Sequence, residues 1–183
     1  VSCFEEDKSG NIWIGTEGGG INCWNRRRNE YSYYTQSLSN GINYNLIKSL
    51  LFDSKKRKIL ISSFNGGISE YNTETKKFED LKLYHPSRPG RYLSVYNFAM
   101  EADSGICLNA TTDGLFYKDL KTNRISRIVP KQNGKDIILP EVESVYRDVK
   151  NRLWLFTHRG AYIMDVRTHK VLDHHLINDS NYS

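Results

Sequence analysis

The sequence predicts an all-β fold made of four repeated units, and two regular series of residues support this prediction. A segment centred on a large apolar residue recurs at Trp13, Leu60, Leu108 and Trp154. A glycine followed by an alternating stretch recurs every 46 or 47 residues, at Gly20, Gly67, Gly114 and Gly160. No helical period lies between these positions, so each unit is predicted to be one small antiparallel sheet.

Acidic and amide residues that recur in each unit predict its turns. Asp closes the first short apolar run of each unit, and Asn or Asp follows the third, at Asp7, Asp53, Asp103, Asp148 and at Asn25, Asn72, Asp119, Asp165. These side chains favour turns because they accept hydrogen bonds from backbone N–H groups two residues later. Each unit is therefore predicted to hold four short strands, placed in the second unit at 47–52, 59–63, 67–71 and 77–83.

Glycines between the second and third strands are expected to supply positive φ angles to a hairpin. They are Gly18, Gly19, Gly20, Gly66, Gly67 and Gly114. A phosphate-binding loop is the alternative, but such a loop opens a helix, and a strand is predicted to follow here.

Repeated four-stranded units of this length predict a β-propeller, the architecture that packs such sheets face to face. The predicted blades cover 1–36, 46–84, 94–129 and 141–177, and inter-blade linkers separate them. Because 178–181 look like the start of another linker, we expect a partial propeller within a longer array. The end blades would then expose apolar flanks, which predicts self-association or marginal stability for the isolated chain.

The repeated motif resembles that of the two-component regulator propeller. The first unit carries it almost whole, as Asp7, GNIWIGT at 10–16, GGI at 19–21 and Trp24–Asn25. The linker SLSNGINYN at 37–45 is similar to the family's connector. The pattern departs in the third unit, where Leu108 replaces the Trp, and in the fourth, where Phe156 replaces the Gly.

This resemblance implies the sensor half of a hybrid two-component system of gut Bacteroidetes. In such systems a periplasmic propeller array detects a glycan fragment and signals across the inner membrane to a kinase. A periplasmic location is thus implied, although VSCFEED lacks the features of a signal peptide and no stretch is apolar enough for a membrane helix. Export signals and membrane passage are expected outside this chain.

Basic residues are expected to gather at one end of the blades, where first-to-second and third-to-fourth strand turns lie. The runs are 26–28, 55–58, 76–77 and 167–170, and the net charge is +5. An anionic partner such as a sulfated glycan stays open, but we favour solvated turns. Nucleic acid is not expected, because no helix is available for the major groove and no RNA-binding motif is present.

Ligand contacts are predicted at the opposite end, where linkers and glycine hairpins meet. Aromatic side chains can stack on sugars there, while Asn, Arg and carboxylates orient them. The candidates are Glu17, Asn43, Tyr44, Phe64, Asn65, His85, Arg88, Arg91, Tyr92, Asp113, His158 and Arg159. Asn40 is expected at the same end.

No catalytic constellation, metal site or cofactor site is predicted. His174 and His175 are expected to be exposed, with no carboxylate partner, and Glu5, Glu6 and Asp7 only end a strand. Cys3, Cys23 and Cys107 have no metal-like spacing and are interpreted as small buried hydrophobes. Two alternatives to a sensor stay open: a protein-interaction scaffold, and a polysaccharide lyase or hydrolase whose active-site residues come from different blades.

Overall fold

The computed structural model describes residues 1–101, 104–110 and 113–177, and it confirms the all-β fold. Each unit forms one four-stranded antiparallel sheet in which strands adjacent in sequence are adjacent in space. The strands are β1 (Cys3–Glu6), β2 (Ile12–Gly15), β3 (Ile21–Asn25), β4 (Glu30–Tyr34), β5 (Ile47–Asp53), β6 (Lys58–Ser63), β7 (Gly67–Asn72), β8 (Lys77–Asp80), β9 (Asn97–Glu101), β10 (Gly105–Asn109), β11 (Leu115–Asp119), β12 (Ile125–Arg127), β13 (Lys131–Gln132), β14 (Lys135–Asp136), β15 (Val142–Arg147), β16 (Arg152–Thr157), β17 (Gly160–Asp165) and β18 (Val171–Leu176). Over these residues, no helix has the length and apolar character that crossing a membrane requires.

The chain divides into two compact units, which are described separately. Unit 1 (1–97) holds the first two sheets, and unit 2 (98–183) holds the last two. In unit 2, β13 and β14 form a small hairpin inside the linker between the sheets, which the sequence analysis did not predict. The backbone N–H of Lys131 donates to the carbonyl of His169, at 2.8 Å, so this hairpin contacts the turn before β18.

The core of unit 1 is an aromatic cluster between its two sheets. Trp13 is 2% exposed and lies 4.8 Å from the Tyr71 ring and 6.0 Å from the Tyr34 ring, measured between ring centroids. Phe78 lies 4.7 Å from Tyr71. Burial and a hydrogen bond to the Tyr34 hydroxyl raise the pKa of Tyr71, so its hydroxyl stays neutral. Aliphatic residues of β5 and β6 complete this core.

The core of unit 2 is mostly aliphatic. Leu153, Leu155 and Met164 are at most 1% exposed and pack in one cluster with Val142 and Val145. The fully buried Asn109 donates from its Nδ2 to the Val142 carbonyl, at 2.9 Å. This bond fixes the end of β10 to the start of β15.

The predicted Asp and Asn turns are confirmed wherever the structure describes them. Asp7, Asp53 and Asp148 each accept a hydrogen bond from the backbone N–H two residues later, at 2.8–3.0 Å. The later series does the same through Asn25, Asn72, Asp119 and Asp165. Asp103 lies outside the described residues.

Two of these aspartates do more than form a turn. Asp7 accepts a hydrogen bond from the Trp13 indole Nε1 at 2.9 Å, and Asp148 accepts one from the Trp154 indole at 3.0 Å. Arg152 adds a further contact to Asp148, 2.7 Å from its Oδ2. The first turn of each of these sheets is thus tied to the tryptophan of its second strand.

The glycine hairpins of unit 1 and the end of β8 differ from the prediction. Gly67 has a φ of +63°, as expected for its hairpin, but Gly66 and the corresponding Gly19 do not have positive φ angles. Gly66 is needed for space, because a Cβ there would lie 2.4 Å from Ser63 Oγ. Strand β8 ends at Asp80 and not at residue 83, because Lys82 has a φ of +51° and donates its N–H to Asp80 Oδ1.

The hydrogen bonds that Asp148 accepts lead us to expect that the folded protein loses stability in acid. Burial raises the pKa of Asp148, but hydrogen bonds from the Arg152 N–H, the Trp154 indole and the Arg152 guanidinium outweigh it, so this pKa lies well below its usual range. A carboxyl whose pKa is lower in the folded state stabilises the fold above its unfolded pKa, and this contribution is lost as the pH falls toward the folded value. Urea denaturation between about pH 5 and pH 2 is expected to show this loss. Asp148→Asn should flatten the profile, and an unchanged slope would contradict the assignment.

The faces of the first and fourth sheets that lie away from the cores of their units, here called their outer faces, carry exposed aromatic residues. In the first sheet, register places Phe4 and Tyr33 on one face, and they are 75% and 67% exposed. In the fourth sheet, Tyr146 pairs with Trp154 on a face shared with Phe156, and Tyr146 is 58% exposed. Exposed aromatic side chains grouped on one face of a sheet are typical of an interface.

Self-association of the isolated chain is therefore expected in sedimentation velocity experiments. Replacing Tyr33 by Lys should shift the distribution toward monomer, because a buried lysine would have to be desolvated. A compact, heat-stable monomer would contradict this expectation and favour a closed four-bladed ring.

Candidate ligand-binding surface

The linkers and the glycine hairpins of unit 1 meet at one end of its sheets, as predicted. The N–H groups of Gly18 and Gly20 donate to the Asn45 carbonyl at 3.2 and 3.0 Å, and the N–H of Gly67 donates to the Leu93 carbonyl at 3.0 Å. We call this region, formed by residues 16–20, 42–48, 63–67 and 80–96, the linker end of unit 1.

A carboxylate organises one part of the linker end. Asp80 Oδ1 accepts a hydrogen bond from Asn43 Nδ2 at 2.8 Å, and Asp80 Oδ2 accepts one from the Tyr92 hydroxyl at 2.5 Å. Asn43 Nδ2 also donates to the Gly66 carbonyl, at 2.9 Å. Burial and the bond to Asp80 raise the pKa of Tyr92. The phenol is thus a neutral, oriented donor at physiological pH.

Tyr92 and Tyr84 form an aromatic pair on this network. Their ring centroids are 4.7 Å apart and inclined by 31°, and Tyr84 is 41% exposed. The loop between them is closed because the His85 N–H donates to the Arg91 carbonyl at 2.8 Å. Inside the loop, His85 Nδ1 accepts the Ser87 N–H at 3.1 Å. The pair therefore presents ring surface held by a compact loop.

A second group at the linker end combines an ion pair with two aromatic rings. Lys48 Nζ lies 3.2 Å from Glu17 Oε1 and 5.3 Å from the Tyr96 ring centroid. Phe64 meets the Tyr96 ring edge to face, at 6.1 Å. Beside them, Asn65 adopts a φ of +57° and accepts the Ser94 hydroxyl at 2.8 Å.

The structure brings nine of the predicted ligand-binding residues to the linker end of unit 1. They are Glu17, Asn43, Tyr44, Phe64, Asn65, His85, Arg88, Arg91 and Tyr92. The sequence analysis missed Lys48, Asp80, Tyr84, Ser94 and Tyr96, which contact them. Nothing local marks these residues, since Asp80 and Asn43 are 37 positions apart.

The expectation for Asn40 is wrong. Its Nδ2 donates to the Lys76 carbonyl at 2.8 Å, and its Oδ1 accepts the Phe78 N–H at 3.0 Å. These groups belong to the turn before β8 and to its start, at the other end of the sheet. The linker first runs along β8 before it reaches the linker end, so Asn40 anchors the linker.

The three remaining candidates belong to unit 2. Asp113 lies between β10 and β11, where its N–H donates to the Ala110 carbonyl at 3.0 Å. His158 and Arg159 form the exposed connection from β16 to β17, and the Arg159 N–H donates to Thr157 Oγ1 at 3.2 Å. Their role in binding stays a prediction.

The basic turns of unit 1 lie at the end opposite its linker end and border a cavity of about 360 Å³. Lys8, Arg27, Arg57 and Lys76 line it together with Asp7 and Glu74. Arg57 pairs with Glu74, and Arg26 lies 3.4 Å from Glu6, so acidic neighbours offset part of the charge.

The histidine pair is exposed, as predicted, but it has a carboxylate neighbour that was not expected. His175 Nε2 lies 3.5 Å from Asp173 Oδ2, because alternate residues of a strand share one face. His174 stacks on Tyr162 at 6.0 Å. Within the described ranges, no group of three or more His, Cys, Asp or Glu side chains is arranged to hold a metal ion.

The cysteines differ in burial. Cys107 is buried in the core of unit 2, whereas Cys3 and Cys23 are half-buried. Burial raises the pKa of both half-buried thiols, that of Cys23 to about 11. All three are free thiols.

Comparison with known sequences supports the resemblance found in the motif. Residues 1–18 match the family described as two component regulator propeller. Histidine kinase P4 of Formosa agariphila is 27% identical over 172 residues, which cover 90% of this chain and 12% of that protein. The chain thus spans a small part of this relative.

Solved structures show the same fold. The extracellular domains of two hybrid two-component systems from B. thetaiotaomicron superpose with TM-scores of 0.76 and 0.71, at 17% and 19% identity. They match 95% and 97% of this chain, which covers 23% and 22% of theirs. The β-propeller domain of Cps50 (Swd1) from Myceliophteria thermophila has a TM-score of 0.69 at 14% identity, over 97% of this chain and 55% of that domain. The four sheets are therefore β-propeller blades, and the chain resembles the two-component regulator propellers.

Proposed function

We propose that the chain is a ligand-sensing part of a hybrid two-component sensor and that it binds a glycan-derived oligosaccharide. The linker end of unit 1 carries this proposal. It combines ring surface at Tyr84 and Tyr92 with acceptor oxygens at Asn43 and Asp80 that their mutual hydrogen bond holds in place, and rings and polar groups of these kinds suit a sugar.

The second group extends the same surface. Phe64 and Tyr96 offer apolar ring edges, and the Lys48–Glu17 pair offers charged groups for hydroxyls. Loops on a rigid scaffold are where binding residues concentrate. Arg88 and Arg91 lie in the loop between the two tyrosines, so this loop brings two guanidinium groups to the linker end.

Signal output is proposed to lie in other parts of the protein. The relative in Formosa agariphila is named a histidine kinase, and the B. thetaiotaomicron structures are extracellular domains of hybrid two-component systems. By analogy we place this chain in the periplasm, as part of a larger propeller whose further blades cover the Phe4 and Phe156 faces. Any membrane association would then occur through segments outside the chain.

Loss of binding in linker-end variants tests the proposal. Calorimetry against a panel of oligosaccharides is expected to find a ligand, and Tyr92→Ala should weaken it about tenfold or more, because the variant removes both ring surface and the Asp80 contact. Arg91→Ala and Phe64→Ala should weaken it less. Tyr31→Ala, on the outer face of the first sheet, is the matched control. Unchanged affinity in all three linker-end variants would rule out this surface.

Two other functions predict different results. A protein-interaction scaffold would capture a partner protein but bind no saccharide. A polysaccharide lyase or hydrolase would release product from the same panel, whereas a sensor binds its ligand without cleaving it.

A further inference from the structure

The linker between the third and fourth blades differs in composition from the two before it. The linkers of unit 1 are rich in Ser, Asn, Pro and Arg, whereas the linker of unit 2 contains two apolar runs, Ile128–Val129–Pro130 and Ile137–Ile138–Leu139–Pro140. Ile138 is 98% exposed and Val129 is 37% exposed. Ile128 and Leu139 pack on the core of unit 2, but neither core packing nor turn chemistry requires the exposed Ile138 and Val129, so these two indicate a binding role.

The two runs enclose a groove of about 600 Å³ in unit 2. Its volume lies within the usual range for small-molecule sites, which are mostly apolar with a few polar groups. The other wall is formed by Gly114 and Leu115 at the start of β11 and by Arg127 at the end of β12. The β13–β14 hairpin lies between the two runs in sequence, and its bond to the His169 carbonyl holds it in place. The two runs lie side by side at the base of this hairpin, because the Ile137 N–H donates to the Pro130 carbonyl at 2.9 Å.

Arg127 places a positive charge at the wall of this apolar groove. Its guanidinium lies over Gly114, where an added Cβ would be 3.2 Å from Nη2. No carboxylate within the described part of the chain forms an ion pair with Arg127. Glu141 is the acidic residue of the lining. A cation beside an aliphatic wall is complementary to a ligand that has an anionic head and an apolar body.

We propose that this groove binds a small amphiphilic carboxylate, with its carboxylate on Arg127 and its hydrocarbon chain on Ile137, Ile138 and Leu139. The site belongs to unit 2, and the proposal does not depend on saccharide binding in unit 1. An uncharged sugar fits it poorly, because aliphatic walls would leave most sugar hydroxyls without partners.

Methyl NMR spectroscopy of the full chain tests the site with hexanoate as the probe. Hexanoate should shift the methyl resonances of Ile137, Ile138 and Leu139 in a saturable manner, 1-hexanol should do so more weakly, and acetate should leave them unchanged. Absence of saturable shifts, shifts confined to other methyl groups, or equal shifts with acetate would overturn the proposal.

Exposed variants separate the two contributions without disturbing the fold. Arg127→Gln should weaken hexanoate about fivefold and leave 1-hexanol unchanged, as expected for the loss of a solvent-exposed ion pair. Ile138→Ser should weaken both probes. Arg124→Gln, with the same charge change in the turn before β12, should weaken neither. Equal hexanoate affinity in Arg127→Gln and the unmodified chain would show that the arginine does not select the ligand.

Discussion

Replacing Trp13 with alanine is expected to lower the free energy of unfolding by about 3–5 kcal/mol, the usual cost of deleting a large buried aromatic side chain. Trp13 is 2% exposed and contacts the rings of Tyr34 and Tyr71, which come from both sheets of unit 1. The cavity would open where the two blades pack, so the remaining side chains cannot close it without moving a whole sheet. Urea denaturation measures the loss.

Trp24 provides the matched control in the neighbouring strand. It is half-buried, its ring stacks on Tyr31 at 6.0 Å, and its indole donates to Asn29 at 3.2 Å. Trp24→Ala is expected to cost about 1 kcal/mol, as for a single exposed aromatic pair. Equal losses in the two variants would contradict the assignment of Trp13 as the centre of the core.

The four sheets could be predicted because their determinants are local. The alternating strands and the Asp and Asn turns are each written within a few residues, and the structure confirms these turns wherever it describes them. The linker paths could not be predicted, because long-range contacts set them. Asn40 binds the start of β8, and the β13–β14 hairpin binds the turn before β18.

Only part of the candidate ligand-binding surface could be predicted from the sequence. Aromatic and amide residues in the linkers and hairpins could be placed at one end because strand order decides which connections meet there. Asp80 could not be predicted, because it ends a strand and its partners Asn43 and Tyr92 come from two different linkers.

The hydrogen bond between Asp and Trp in the first and fourth sheets could have been predicted from the sequence. The spacing is six residues in both units that keep the tryptophan, Asp7 to Trp13 and Asp148 to Trp154, and seven from Asp53 to Leu60.

Asp7→Ala is expected to lower the free energy of unfolding by about 3 kcal/mol, far more than the loss of an ordinary turn residue. The variant leaves the buried indole N–H of Trp13 without an acceptor. Asp7 Oδ1 accepts the N–H groups of Ser9 and Asn11, and Oδ2 accepts Asn11 Nδ2 and the Trp13 indole. Without the carboxylate, the indole N–H stays inside the core with no acceptor. Asp7→Asn should recover only part of the loss, since an amide has one acceptor oxygen and both oxygens of Asp7 are used.

Asp53 separates the cost of losing the turn from the cost of losing the further bonds that Asp7 accepts from Asn11 and Trp13. It occupies the same turn in the second blade and accepts the N–H groups of Lys55 and Lys56, but residue 59, six positions later, is an isoleucine with no side-chain donor. Asp53→Ala should therefore cost about 1 kcal/mol, the worth of the turn hydrogen bonds alone. Denaturation of both variants at neutral pH gives the difference directly. If the two losses were equal, the bonds that Asp7 accepts from Trp13 and Asn11 would add nothing to stability beyond the turn, and the fixed spacing of six residues would need another explanation.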